Sequence, residues 1–236
     1  MGKINTLLKR LYQKISGQVK HLSSDIDIIH NWYGNNYGGF YVHPNIINNH
    51  SIVYSIGIGE DISFDKAIIN AHGCKVFGYD PTPKSIAWIE VQSLPYEFIF
   101  SPFGLHTKSE EVTFYLPLNE DHVSGSAVVQ SNINQKSAVW VKMLTLSDMA
   151  KRNGHERIDL LKMDIEGSEY EVLDSILSSE VFIGQVCIEF HDRFYKGQGL
   201  KSKEAIDKLK KAGYLIFGVS NSFEEISLIH SSLIQE

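Results

Sequence analysis

The feature that most constrains the fold of this chain is an apolar strand pattern that ends in a glycine turn and continues as a helix pattern, at Ser51–Asp65. The strand pattern ends near Ile56, the turn contains Gly57 and Gly59, and the helix pattern begins near Asp61. Because glycine has no Cβ, backbone N–H groups in such a turn can approach a ligand closely. The turn lacks the third glycine of a full dinucleotide-binding fingerprint, so an ordinary strand–helix turn remains an alternative.

The next strand pattern favours a bound ligand with a ribose. Lys75–Asp80 is apolar and aromatic, and it ends in a carboxylate followed by Pro81. Nucleotide-binding α/β proteins place an acid about 20 residues after the glycine turn, where it accepts hydrogen bonds from the ribose hydroxyls. Asp80 is therefore predicted to hold a ribose.

Strand and helix patterns alternate from Ile52 onward, which predicts an α/β fold with a mainly parallel sheet covered by helices on both faces. The predicted strands are Ile52–Ile56, Lys75–Asp80, Tyr96–Phe100, Ile158–Met163, Gly184–Phe190, Tyr214–Val219 and Phe223–Ile229. The predicted helices are Ile62–Ala71, Pro83–Glu90, Thr145–Arg152, Ser168–Leu177 and Ser202–Ala212. The last two strands are joined by a short polar turn, so they form a hairpin and one of them runs antiparallel.

A length of 236 residues suits one domain with an N-terminal extension. We expect an extension over residues 1–50 and a main domain over residues 51–236. Residues 105–142 form an insertion in which Val112–Leu116 and Ala138–Val141 alternate apolar and polar residues, as a β-hairpin does.

The extension contains two segments of interest. Ile4–Leu22 is a basic amphipathic helix pattern that could lie on an anionic membrane surface, pack on the domain, or contact a second subunit in a homodimer. Asn31–Pro44 is rich in glycine and aromatic residues, which suits either a loop that reaches the mouth of the ligand pocket or a turn packed under the sheet. Tyr37, Phe40 and Tyr41 are its candidate acceptor-binding residues.

Composition excludes several classes of function. The net charge of −6 gives no basic face for nucleic acid. There is neither a secretory segment nor an apolar run of the ~18–20 residues that a membrane span requires. The two cysteines, Cys74 and Cys187, lie in or beside apolar runs, which favours buried free thiols and a cytoplasmic protein, and no Cys/His spacing suits zinc.

Polar and charged residues follow five of the predicted strands, and the carboxyl ends of parallel strands meet at one edge of a sheet. In chain order the residues at these strand ends are Gly57, Gly59 and Glu60; Asp80; Ser101 and Phe103; Asp164 and Glu166; and Glu189, His191 and Asp192, so that each end carries at least one polar or charged group. Converging carboxylates repel one another, so a structural protein has no reason to collect them. The sequence therefore predicts a functional site at this edge.

The segment around His191 predicts acid–base chemistry. Glu189 and His191 share one face of an extended strand, and an imidazole beside carboxylates is the usual general base near neutral pH. His191 is therefore predicted to contact the acceptor and to take the proton of its hydroxyl, with Asp164 or Glu189 orienting the imidazole. A divalent metal bound by Asp164, Glu189 and His191 is an alternative that we do not favour, since Mg²⁺ prefers oxygen ligands to imidazole.

Taken together, these segments resemble the FkbM-type S-adenosylmethionine-dependent methyltransferases, over roughly Tyr37 to Tyr214. The matching segments are Gly57-Ile58-Gly59, Asp80-Pro81, Ser101-Pro102-Phe103-Gly104, KMLTLSDM, LLKMDIEGSEYEVL and Ile188-Glu189-Phe190-His191. The resemblance implies a class I methyltransferase (Rossmann-like) fold, with a seven-stranded sheet whose last strand is antiparallel.

The resemblance also implies roles for individual residues. Gly57 and Gly59 would face the methionine moiety of S-adenosylmethionine, Asp80 and the following Pro81 would hold its ribose, and Ser101 and Phe103 would border its adenine. Asp164 would lie beside the transferring methyl group, with Glu166 on the acceptor side. Many members have an acid two residues before the first glycine, where it holds the cofactor's ammonium; this chain has Ser55 there, and Glu60 is the residue expected to compensate.

These observations predict an S-adenosylmethionine-dependent O-methyltransferase that acts on a hydroxyl of a sugar, nucleotide sugar or glycan precursor. Two alternatives remain. One is a catalytically inactive cofactor-binding module, which the serine at position 55 favours. The other is an NAD-dependent oxidoreductase, which shares the strand, glycine turn and acid, and which the incomplete glycine motif disfavours.

Overall fold

The computed structural model describes residues 19–117, 133–195 and 200–234, with the side chains of 114–117 and 133–138 left out. Most of the predicted helix at Ile4–Leu22 lies outside these residues. Within them, Lys20–Leu22 forms a 3-10 turn, and Leu22 packs into the core.

The central sheet confirms the predicted architecture, because it has seven strands of which only the last in the chain is antiparallel to its neighbours. Across the sheet the strands lie in the order β11-β12-β10-β9-β3-β4-β5. Their bounds are β3 Ile52–Ile56, β4 Lys75–Tyr79, β5 Phe98–Ser101, β9 Arg157–Met163, β10 Phe182–Glu189, β11 Tyr214–Val219 and β12 Glu225–His230.

Helices cover both faces of this sheet. The first two contribute to the hydrophobic core on one face, and the other three contribute to the core on the opposite face. Their bounds are α1 Ser63–His72, α2 Pro83–Glu90, α3 Leu146–Asn153, α4 Glu169–Leu177 and α5 Lys201–Lys211. Threonine side chains cap the N-termini of α2 and α3, and left-handed glycines end α1 and α3, as helix-capping preferences predict.

Two strands begin two residues later than predicted, for local reasons. Strand β5 begins at Phe98 rather than Tyr96, whose side chain is exposed to solvent. Strand β12 begins at Glu225 rather than Phe223, because Phe223 has a φ of 63° and so belongs to the turn.

The aromatic segment Asn31–Pro44 was not predicted to contain strands, but the structure has an antiparallel pair there, β1 Asn31–Tyr33 and β2 Phe40–Val42. The inward-facing residues of this hairpin are buried, which explains its aromatic composition. Only the bend between its strands remains near the carboxyl edge of the main sheet.

Residues 105–142, predicted as an insertion, contribute to a small second sheet in the order β6-β8-β7. Its strands are β6 Gly104–Leu105, β7 Glu110–Pro117 and β8 Ile133–Leu144, with β7 and β8 antiparallel. In the part of the chain that the structure describes, no helix is both long and apolar enough to cross a bilayer.

Candidate functional site

A cavity of about 430 Å³ lies at the carboxyl edge of the sheet, above β3, β4 and β9. This volume falls within the range of roughly 300–1,000 Å³ that small-molecule sites occupy. It is lined by Asn35, Tyr37, Gly38, Ile56, Gly57, Ile58, Gly59, Glu60, Asp61, Phe64, Asp65, Asp80, Pro81, Thr82, Gly104, Leu105, Met143, Lys162, Asp164, Ile165, Glu166 and Ser168. One space therefore joins the glycine turn and Asp80 to the carboxylates that follow β9.

The glycine turn packs against the neighbouring strand end so closely that no side chain fits. Gly57 has a φ of 76°, and its N–H donates to the carbonyl of Tyr79 at 2.8 Å. A Cβ on Gly57 would lie 1.8 Å from the carbonyl oxygen of Asp164. Glycine is required here both for the left-handed backbone and for the close approach of β3 and β9.

Asp80 is nearly buried and holds the walls of the cavity together. Its Oδ2 accepts a hydrogen bond from the N–H of Gly59 at 2.9 Å. Its Oδ1 accepts from the N–H of Thr82 at 2.9 Å and from the Thr82 hydroxyl at 2.7 Å. Each carboxylate oxygen has more than one acceptor direction, so Asp80 can still bind hydroxyls of a ligand in the cavity.

Two charged residues that sequence reasoning missed lie at the floor of the cavity. Lys162, on β9, is 6% exposed, and its ammonium donates to the carbonyl of Gly57 at 2.8 Å. Asp65, on α1, is 2% exposed, and its Oδ1 has no hydrogen-bond partner among the described residues. Burial raises the pKa of the Asp65 carboxyl, while Lys162 and the hydroxyl of Ser55 oppose the shift.

Ser55 itself lies beneath the cavity rather than in its lining. It is fully buried in β3, where it pairs in register with Lys162. The carboxylate of Glu60 lines the cavity but lies 3.3 Å from the ammonium of Lys84. Asp65 is therefore better placed than Glu60 to provide a carboxylate in place of the acid that position 55 lacks. The only sequence signal for Asp65 is its position in the first turn of the helix that follows the glycine turn.

The acids that follow β9 and β10 surround a buried imidazole. His191 Nδ1 lies 2.7 Å from Glu169 Oε1, and His191 Nε2 faces three further carboxylates. These are Glu166 Oε2 at 3.4 Å, Glu189 Oε1 at 3.5 Å and Asp164 Oδ1 at 3.6 Å. Glu166 enters this group through a left-handed backbone with a φ of 53°, an uncommon conformation for a residue other than glycine.

This crowding of charge perturbs the proton affinities of the group. Burial, followed by the negative charge of Asp164, raises the pKa of the Glu189 carboxyl to about 8. Burial alone would lower the pKa of the His191 imidazole. The hydrogen bond and charge of Glu169, together with the charges of Glu166 and Asp164, outweigh burial and raise this pKa to about 9. Perturbed ionisable groups clustered beside a cavity are typical of functional sites.

His191, predicted to contact the acceptor, is not among the residues that line the cavity. The imidazole is fully buried behind the carboxylates and does not line the cavity, whereas Asp164 and Glu166 do. A general base must come within hydrogen-bond reach of the proton it removes, so Asp164 and Glu166 are nearer to that role.

Two of the three predicted acceptor-binding residues of the aromatic hairpin also lie away from the cavity. The side chain of Phe40 is fully buried and packs edge-on against Phe64, and Tyr41 packs against the rings of His30 and Trp32. Tyr37, at the bend of the same hairpin, does line the cavity mouth.

The two residues predicted to border the adenine also lie away from the cavity. Ser101 and Phe103 do not line the cavity, and the ring of Phe103 packs under the guanidinium of Arg152. Gly104 and Leu105 line it instead, together with Met143 from β8 and the predicted Pro81. The apolar end of the cavity is therefore formed by strands of the small second sheet, whose position was not evident from sequence.

Comparison with known proteins identifies a family. The FkbM methyltransferase domain matches residues 39–216 of this chain. The human probable methyltransferase-like protein 24 is 28% identical over 148 residues, and the rat protein of the same name is 27% identical over 142 residues. These alignments cover 62% and 59% of this chain but only 34% and 32% of the relatives, so the chain spans about a third of their length.

Two archaeal fibrillarin structures align with the chain at low sequence identity. The Methanococcus jannaschii fibrillarin pre-rRNA processing protein gives a TM-score of 0.47 at 13% identity, covering 78% of this chain and 68% of that one. Aeropyrum pernix fibrillarin, solved with natively bound S-adenosyl-L-methionine, gives a TM-score of 0.41 at 10% identity, covering 89% and 85%.

Proposed function

Because the chain belongs to the FkbM methyltransferase family, we propose that it is an S-adenosylmethionine-dependent O-methyltransferase acting on a hydroxyl of a sugar, nucleotide sugar or glycan precursor. The observation that carries this proposal is the single cavity that joins the glycine turn and Asp80 to the carboxylates of Asp164 and Glu166. A methyl donor and an acceptor can therefore bind next to each other in one continuous cavity.

The residues at one side of the cavity fit the donor. Asp80 would bind the ribose hydroxyls, and the turn at Gly57 and Gly59 leaves room for the methionine moiety. The unpartnered oxygen of Asp65 is suited to accept a hydrogen bond from the ammonium of the cofactor. The apolar surface of Leu105 and Met143 would border the adenine in place of the residues predicted from sequence.

The carboxylates at the other side fit an acceptor better than a sulfonium. S-adenosylmethionine would supply the methyl group from a positively charged sulfur, and that charge disappears as the methyl group is transferred. A carboxylate against the sulfur would stabilise the ground state more than the transition state and slow the step. Asp164 and Glu166 therefore serve best by orienting an acceptor hydroxyl and accepting its proton. A base placed in this way typically increases the rate of reaction by about 10²–10⁴-fold.

Calorimetry with S-adenosylhomocysteine, and with NAD as the control ligand, tests the cofactor. We expect saturable binding of S-adenosylhomocysteine and none of NAD. Binding of NAD alone would contradict the proposal and return the chain to the oxidoreductase alternative.

Transfer of labelled methyl groups to a panel of sugars, nucleotide sugars and glycan precursors tests the reaction. We expect Asp164→Asn to lower turnover by about 10²–10⁴-fold while the affinity for S-adenosylhomocysteine changes little. Cofactor binding without transfer to any acceptor would instead support the inactive binding module, which the serine at position 55 favours.

A further inference from the structure

The cluster around His191 has the arrangement of a cation site. It consists of one imidazole and four carboxylates supplied by the loop after β9, the start of α4, the end of β10 and the segment that follows β10. Its members are Asp164, Glu166, Glu169, Glu189 and His191. Ligand atoms of Asp164, Glu166 and His191 all lie within 4.8 Å of one another.

Glu169 determines which imidazole nitrogen can act as a ligand. Its Oε1 lies 2.7 Å from His191 Nδ1 and also accepts hydrogen bonds from the N–H groups of Ile165 and Gly167, at 3.3 and 3.2 Å. A carboxylate in this position keeps a proton on Nδ1, so that Nε2, on the far side of the ring from Glu169, is the nitrogen that gives up its proton to an incoming ion. Metal-binding histidines typically have such a carboxylate behind them.

The Nε2 atom of His191 points into the carboxylate cluster. Within the described part of the chain, Nε2 of the fully buried His191 has no hydrogen-bond partner, and neither does Asp164 Oδ1. A single N–H would draw one carboxylate to about 2.8 Å, yet three carboxylates stand at 3.4–3.6 Å from Nε2. Adjacent ligands of an ion, each at ~2.1 Å from it, lie about 3.0–3.4 Å apart, close to this spacing.

The nearby cations are engaged in other contacts. Arg193 lies 3.5 Å from Glu189 and 2.9 Å from Glu224, and Lys162 lies 3.9 Å from Asp164 but donates to the carbonyl of Gly57. An ion has a path to the cluster, because Asp164 and Glu166 also line the cavity. The ring of Phe194 stacks on His191, with the ring centroids 5.1 Å apart.

We propose that Asp164, Glu166, Glu189 and His191 bind a divalent cation of the Mn²⁺ type, with Glu169 as the residue that positions the imidazole. Carboxylates suit Mg²⁺ and Mn²⁺, whereas imidazole suits the transition metals, and Mn²⁺ accepts both. Binding of the ion does not depend on the proposed function. Where that function also holds, the ion lies on the acceptor side of the cavity, where it can orient the hydroxyl.

The experiment is a titration of the metal-free full chain with Mn²⁺, with no cofactor or acceptor present. Binding is measured as the loss of the electron paramagnetic resonance signal of free Mn²⁺. We expect one saturable site per chain. Asp164→Asn and Glu189→Gln should each weaken binding by about tenfold or more, because each removes a charged ligand. Asp174→Asn, a charge-matched control on the exposed side of α4, should leave the affinity unchanged.

His191→Gln tests the nitrogen ligand, with circular dichroism to verify folding. If this variant does not fold, Asp164→Asn and Glu189→Gln still decide the question, since both residues are partly exposed. The absence of saturable Mn²⁺ binding overturns the proposal, and so does binding that Asp164→Asn, Glu189→Gln and Asp174→Asn leave equally strong. Metal binding without methyl transfer supports the site while contradicting the proposed function.

Discussion

At the scale of single residues, Asp65 is the acid that we propose in place of the one that the family motif leads one to expect at Ser55. Asp65 reaches the cavity floor from α1, and its buried carboxylate keeps one oxygen without a hydrogen-bond partner among the described residues. A buried carboxylate that is not fully paired is costly. Such a cost is retained where a ligand completes the pairing.

Asp65→Asn should lower the affinity for S-adenosylhomocysteine by about tenfold or more, because a hydrogen bond to a charged group contributes about 1.5–3 kcal/mol. Glu60→Gln is the matched control, since Glu60 also lines the cavity but is paired with Lys84. Calorimetry on both variants measures the difference. A larger loss for Glu60→Gln than for Asp65→Asn would return the ammonium-binding role to Glu60.

The same residue predicts a pH dependence. Burial raises the pKa of the Asp65 carboxyl, although Lys162 and the hydroxyl of Ser55 oppose this shift and Asp61 adds to it. As the pH is lowered, Asp65 therefore takes up a proton at a higher pH than an ordinary aspartate does. The protonated form cannot attract an ammonium, so affinity should fall as the pH is lowered. Calorimetry from about pH 8 to about pH 5 should show this slope in the native protein, and a flatter profile in Asp65→Asn.

At the scale of elements, the glycine turn after β3 and the end of α3 use the same left-handed backbone for different purposes. Gly57 has a φ of 76° and would place a Cβ against the carbonyl of Asp164, whereas Gly154 has a φ of 70° and open space around it. The first glycine allows two strand ends to approach each other. The second only ends a helix.

These two glycines separate backbone strain from steric overlap. Gly154→Ala should lower the free energy of unfolding by about 1–2 kcal/mol, the cost of a left-handed alanine. Gly57→Ala should lower it by about 3 kcal/mol or more, because overpacking is added to the same strain. Urea denaturation of both variants measures the difference, and equal losses would mean that β3 and β9 separate easily at this turn.

At the scale of the whole molecule, stability is concentrated in the middle of the seven-stranded sheet. Strands β3 and β9 have a neighbour on each side and core packing on both faces. In the small second sheet, in contrast, the described residues form a separate buried cluster of only two side chains, Val141 and Met143, while Leu105 packs into the main core.

Hydrogen exchange should therefore follow two regimes. Amides of β3 and β9 should exchange only through global unfolding, whereas amides of β7 should exchange through local opening, because few buried contacts hold that strand. Mass spectrometry of peptides from each strand measures the rates. Equal protection of β7 and β9 would show that the two sheets unfold as one unit.

The sequence by itself determined the order of strands and helices, the antiparallel last strand, and the positions of Gly57, Asp80 and Asp164 at strand ends. These features depend on local periodicity, on glycine conformation and on the rule that parallel strands end at one edge. They are encoded in short segments, so they can be inferred without coordinates.

Only the tertiary structure decided which side chains share the cavity. It buried Phe40 and His191, moved the apolar border from Phe103 to Leu105, and brought Asp65 to the floor. Each of these placements depends on how elements distant in sequence pack against one another. Burial and partnership are properties of that packing, and for this reason no local pattern in the sequence contained them.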